Sequence, residues 1–238
     1  MQVSAPRYPN QQLRAVSLET YFVGRLSVLT KLDVVQENLR TRLPKLFVPN
    51  ARPDEALALR PFMLGAEDDS EAVAVAVNQA SYVSRSYPGH EAFLARGCPM
   101  LADALRVVGV DRLERVLYRY ENEVALGRDT NGALPLQNVF QFAMPDGLPV
   151  SGVTNLHVDF TRVWERGRTG LEIRLEERAP GTILRFFVVA AVAPGGDVGE
   201  LAGTAQVAHD EAVRLFEQII SDSFRTLISG GEGGGSEG

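Results

Sequence analysis

The stretch "VLYRYENEV", residues 116–124, decides how the chain is read. Leu117, Arg119, Glu121 and Glu123 fall on one side of it, and Val116, Tyr118, Tyr120, Asn122 and Val124 on the other. Successive side chains of a strand point to opposite faces, so this alternation predicts a half-buried β-strand. Its tyrosine side is expected to face helices and its Arg/Glu side to face away from them.

Working upstream, "RAVSLETYFVG" (14–24) alternates in the same way, with Val16, Leu18 and Phe22 opposite Ser17, Glu19 and Tyr21. Leu29, Leu32, Val35, Leu39 and Leu43 recur at helical spacing until Pro44. A proline-broken loop, "LFVPNARPDEA", follows. Two β segments come next, "ALRPFMLG" (58–65) and "AVAVAVNQASYVSRSY" (72–87), divided by the acidic turn "AEDDSE". Alternation through the second places Val73, Val75 and Val77 opposite Ala74, Ala76, Asn78, Ala80 and Tyr82. After "PGH" a helix is expected, with Phe93, Leu94, Leu101, Leu105 and Val108 on its apolar side and an end near Gly109. The order βαββαβ predicts a ferredoxin-like half.

Downstream, "LGRDTNGALPLQN" reads as a loop. "TNLHVDFTRVWER", "LEIRLEER" and "TILRFFVVAAVA" read as three strands joined by the turns "GRTG" and "APG". A long helix, about Ala205 to Ile228, is expected to bury Ala208, Ala212, Leu215, Ile219 and Leu227. The expected fold is α+β, with two antiparallel-sheet halves carrying helices. Residues 13–126 form the ferredoxin-like half, 127–153 a connecting loop, 154–229 a three-stranded meander with the carboxy-terminal helix, and 230–238 a disordered Gly-rich tail.

The chain has 238 residues, 45% apolar and 23% charged, which is ordinary globular usage. Its net charge of −6 weighs against nucleic acid, whose partners usually leave a basic footprint. "MQVSAPRYPNQQ" lacks the apolar core of a secretory signal, and the longest apolar run, "FFVVAAVA", falls far short of the roughly 20 residues a membrane span needs. With a single cysteine, Cys98, no internal disulfide forms. A cytoplasmic protein, with no membrane partner, is expected.

The residues with catalytic chemistry do not assemble into a motif. His157 and Asp159 share a strand face and could share a metal, with Glu172 across the hairpin as a third ligand. Polar residues on an outer strand face give the same pattern, so no metal and no cofactor are expected. His209, with Asp210 and Glu211, reads as the start of the last helix, where carboxylates suit the helix dipole. His90 has the same reading after "YPG". Cys98, beside Pro99, reads as a small buried hydrophobe.

The charged strand face is the remaining candidate. Glu19, Tyr21, Arg115, Arg119 and Glu121 should gather beside a floor of Ala74, Ala76 and Ala80, with Asn78 and Tyr82 on the same side. In a ferredoxin-like sheet the first and last strands are neighbours, so Glu19 can oppose Arg115 or Arg119. Either the second half of the chain covers this face, or another partner does.

"LRAVSLETYFVGRL", "NQASYVSRSYPGHEAF", "RVLYRYENEV" and "AHDEAVRLFEQIISDSF" together resemble a sporadically distributed bacterial protein family of about this length with no assigned activity. The resemblance spans Leu13 to Ile228. It implies a mobile-element or defence-linked setting and carries no catalytic residues over. The expected function is non-catalytic binding or assembly on another protein, or on a second copy of the chain. One alternative is an enzyme using Arg119, Glu121, Tyr82 and His157 on a phosphorylated or nucleotide substrate in a cleft between the halves. The other is a nucleic-acid module using Arg85, Arg115, Arg119 and Arg162 with Tyr82 or Trp164 for stacking.

Overall fold

The computed structural model describes residues 12–48, 60–142, 156–178 and 181–229. The amino-terminal stretch, the start of the expected 58–65 strand, the second part of the expected 127–153 loop and the tail 230–238 lie outside the described residues. The chain is mixed α and β, with a large antiparallel sheet and a long helix near its carboxy terminus.

In chain order the elements are β1 (Leu13–Tyr21), α1 (Ser27–Thr30), α2 (Leu32–Leu39), β2 (Lys45–Phe47), β3 (Phe62–Gly65), β4 (Glu71–Ala76), β5 (Gln79–Ser84) and α3 (His90–Val107). Then follow β6 (Arg112–Leu113), β7 (Arg115–Leu126), β8 (His157–Trp164), β9 (Gly167–Arg178), β10 (Gly181–Val192), β11 (Gly196–Asp197), α4 (Leu201–Ile219) and α5 (Asp222–Ile228). Nine strands join in one sheet, ordered β2-β3-β4-β5-β1-β7-β10-β9-β8, and β6 pairs with β11 apart from it.

The opening stretch is the spine. β7 pairs along its length with β1 on one side and β10 on the other, opposing Leu18 to Tyr118 and Ala190 to Tyr118. The two sheets expected from the sequence are therefore one. The second group of strands does not lie over the first; it extends it edge to edge, because both sides of β7 are free to hydrogen-bond.

The long segment at 72–87 is a hairpin, not one strand. Residues 77 and 78 turn, and Ala76 pairs with Gln79. Partners across a ladder share a face, so a two-residue turn reverses the parity of everything after it. Ala80 and Tyr82 thereby join Val73 and Val75, and Tyr82 is buried against Phe93 with ring centroids 5.0 Å apart. Gly97 of α3 admits that ring: a Cβ there would stand 2.3 Å from Tyr82 Cδ1.

Helices pack on the tyrosine side. α3 meets the sheet through Phe93 on Tyr118, α4 through His209 on Tyr118, and α5 through Phe224 on Phe186. α2 packs on α3. Gly109, at φ +81°, ends the α3 segment as its spacing predicts. The expected final helix is two. The chain turns extended at Ile220, and Ser221 caps α5 by accepting the Phe224 N–H at 3.1 Å. That break rotates the second helix, burying Phe224 and Ile228 and leaving Leu227 48% exposed. Part of the expected connecting loop belongs to the core, since Leu134, Leu136, Val139 and Phe140 are buried. Among the described residues, no helix is long and apolar enough to cross a membrane.

Candidate interaction face

Opposite the helices, the sheet exposes a second surface that, among the described residues, no helix crosses. Register fixes its membership. Glu19 opposes Ser81 on β5 and Leu117 on β7, and Tyr21 opposes Gln79 and Arg115. Ser17 opposes Arg119, and Arg119 opposes Val189. Glu19, Tyr21, Arg115, Arg119 and Glu121 thus share this face as alternation predicts, over a floor including Ala74 and Ala76. Asn78 is at its rim: it is exposed on the β4–β5 turn, and its carbonyl accepts the Phe22 N–H at 3.1 Å. Tyr82 and Ala80 are on the opposite face, for the parity reason above.

Glu19 is the centre of the face. It is 9% exposed, and burying a carboxylate is costly unless it is paired. Tyr21 donates its hydroxyl at 2.8 Å, Ser17 at 3.2 Å, and the Gln79 amide donates at 3.4 Å. Arg119 Nε stands 3.4 Å away but is not aligned to donate, so that buried N–H lacks a hydrogen-bond acceptor. The attraction there is Coulombic. Arg115 lays its guanidinium over the Tyr21 ring, 4.1 Å from the centroid. Burial first, then the Glu19 charge, push the Tyr21 phenol up to about 12, so it remains a donor.

The charged pattern continues beyond Glu121. Glu123 accepts from Arg185 at 2.8 Å and pairs with Arg14; the hydrogen bond from Arg185 is the leading cause that holds its carboxyl below the usual range. Phe187, 9% exposed, is approached by Arg174 at 5.4 Å and Arg119 at 5.9 Å. Sequence reasoning passed over Phe187, Arg185 and Arg174. The signal for Arg185 and Phe187 was the alternation Arg185, Phe187, Val189, Ala191 inside "RFFVVAAV", hidden because both faces of β10 are largely apolar, and that for Arg174 was its alternation with Glu172 in "LEIRLEER".

His157 and Asp159 lie on this face too, with Glu172 facing Asp159. Glu172 is bound by His157 at 3.1 Å and by Arg174. Among the described residues, no three His, Cys, Asp or Glu side chains come together to hold a metal.

The residues of the two alternative readings are scattered. Tyr82 donates at 2.6 Å to Glu71 within the helix side, while Arg119 and Glu121 are on the other face, and His157 is three strands from β7. A concavity of about 370 Å³ lies between β2, β3 and β4, lined in part by Phe47, Met63 and Arg85, and none of those four residues reaches it. Arg162 projects to the helix side, where it pairs with Glu211 at 3.7 Å, and Arg85 donates to the Asp69 carbonyl at 2.9 Å.

A second cluster, on the helix side, had no signal in the sequence. His209 is not at a helix start: α4 begins eight residues earlier, at Leu201, and leaves His209 3% exposed. Its ring stacks on His90, the first residue of α3, with centroids 3.4 Å apart. Tyr87 brings its hydroxyl within 3.3 Å of Tyr118 and 3.4 Å of Tyr120 beside them. His90 Nε2 meets Gln206 at 2.6 Å, and His209 Nδ1 meets Asp210 at 3.0 Å. Cys98 is buried as expected, and burial pushes its thiol up to about 12, away from nucleophilic character.

No family model and no curated protein matches the chain.

Proposed function

We propose that this is a non-catalytic cytoplasmic protein that binds or assembles with another protein through the open face of its sheet, in the defence or mobile-element setting that the family resemblance implies. One observation carries the reading. Glu19, a nearly buried carboxylate with three hydrogen-bond donors and a cation around it, sits on the face that no described helix crosses. A preorganised polar centre flanked by Tyr21 and Arg119, with Arg115 over the Tyr21 ring, has the composition of an interface core, where tyrosine and arginine are enriched. The order β4-β5-β1-β7, with helical connections after β1 and β5, supports reading the first part as a ferredoxin-like unit with β2 and β3 added at its edge.

The scattering of Arg119, Glu121, Tyr82 and His157 supports binding over catalysis, because acid–base chemistry needs groups within hydrogen-bond reach of one substrate. Position-specific photo-cross-linking in the native host tests the proposal. A photoreactive residue at Val83 or Val189, on the open face, should trap a discrete protein partner, whereas one at Ala95 or Ala202, exposed on α3 and α4, should not. Adducts from the helix positions alone, or equally from both sets, would reject the open face as the binding surface.

A further inference from the structure

Arginines on this sheet face are mostly neutralised. Arg14, Arg119, Arg174 and Arg185 each have a carboxylate partner. Arg115 and Arg168 are different: both are exposed, and neither has a carboxylate within ion-pair distance among the described residues. They also share one end of the face. Arg168 opposes Ala191, and Ala191 opposes Leu117, which lies midway between Arg115 and Arg119 on β7. Arg115 and Arg168 are therefore about 12 Å apart on a diagonal, two residues along the strands and two strands across. The floor between them is Leu117, 8% exposed, and Ala191.

We infer that this end of the face docks an acidic, extended protein segment with two carboxylates four residues apart and an apolar residue midway. This rests on the open face being a protein-binding surface, and names the chemistry of what binds. An extended chain advances about 13 Å over four residues, close to the span from Arg115 to Arg168, and its side chains at the first, third and fifth positions point the same way. The carboxylates meet the guanidinium groups, in which charge-assisted contacts are the strong ones, and the middle residue meets Leu117 and Ala191. A nucleic acid fits less well. Its backbone needs a continuous basic track, while the same face carries Glu121, Glu123 and Glu172 a few residues away, and the chain as a whole is at −6.

Fluorescence anisotropy of the full chain with the labelled peptide Gly-Ser-Glu-Thr-Leu-Thr-Glu-Ser-Gly at low ionic strength is the test. Binding should saturate and weaken with added salt. Arg115→Ala and Arg168→Ala, at exposed positions, should each weaken it about tenfold, the scale of one lost charge-assisted contact. Arg106→Ala, on α3, should leave it unchanged, and a peptide with lysine in place of both glutamates should not bind. Absent saturation, binding indifferent to Arg115 and Arg168, or equal binding of the lysine peptide overturns the inference. Oligothymidylate that binds as tightly through the same arginines also overturns it, in favour of nucleic acid. Cross-links from Val83 and Val189 that persist while the peptide fails to bind would leave the open-face interface standing and remove only its acidic partner.

Discussion

His90 and His209 lie face to face, their ring centroids 3.4 Å apart and their planes 19° from parallel, and so join the start of α3 to the middle of α4. Burial first, and the neighbouring His90 second, pull His209 down to about 4, against the opposing pull of Asp210. Tyr118 and Tyr120 of β7 flank it, with Tyr87 behind them, and burial pushes the Tyr118 and Tyr120 phenols well up. A folded-state value below the unfolded 6.5 means that the unfolded chain takes the proton first. Stability is then fully present above about 6.5 and is lost as pH falls towards 4, by up to about 3 kcal/mol. Urea unfolding at a series of pH values should show this loss in the native chain and lack it in His209→Phe, which keeps an aromatic ring and cannot titrate. Equal pH slopes in the two proteins would remove His209 as the cause.

Glu19 and Arg119 should be coupled, though modestly. Arg119 keeps 38% of its side chain exposed and contacts Glu19 without a hydrogen bond, while three other donors serve the carboxylate. Arg119→Ala should cost about 1 kcal/mol, at the upper end for exposed ion pairs, with a coupling of similar size in the double-mutant cycle with Glu19→Ala. A loss of several kcal/mol would mean that the pair is covered by something that excludes water.

Tyr118→Ala removes a fully buried ring that touches Phe93, Tyr120 and His209. The cost should be on the order of 3 kcal/mol, from lost burial and the cavity left behind. Its hydroxyl contact with Tyr87 is separable: Tyr118→Phe should cost about 1 kcal/mol, the net worth of one hydrogen bond. Denaturant titration of the two variants checks the difference.

Gly97→Ala should destabilise by about 2 kcal/mol, the usual scale of overpacking, because the added methyl meets the Tyr82 ring well inside contact distance. Tyr82→Leu in the same chain should recover part of that loss. If the double variant is no better than the sum of the singles, α3 yields by shifting as a whole rather than at this contact.

Much of this was legible because strands advertise their faces. In β7 every residue from Arg115 to Glu123 kept the facing that its alternation implies, but Glu19 opposes Leu117 rather than either arginine and meets Arg119 only on the diagonal. Tyr82 was misplaced because alternation cannot see a turn made of Val77 and Asn78, which carry no glycine or proline to announce it. His209 was misplaced because "LAGTAQV" contains a glycine and a threonine, weak helix formers that packing on β7 and β10 overrides. Its stack on His90 joins residues that share no local pattern at all. Arg168 was hidden because "GRTG" reads as a turn, whereas it is the start of β9, and only the register through Ala191 brings it beside Arg115.

The position of β1 in the sheet has a consequence for synthesis. Among the described strands it is the first made, yet its neighbours are β5 and β7, so it has no partner among them until residue 79, and none for its other edge until residue 115. Pairings so distant in sequence are slow to form, because the loop must close before the ladder rewards it. Until β5 is made, Val16 and Leu18 face water on a strand with two bare edges, the kind of segment that aggregates or engages a chaperone. Codon choice upstream of β5, by setting how long that interval lasts, should influence the yield of soluble protein more than the same change made downstream of it.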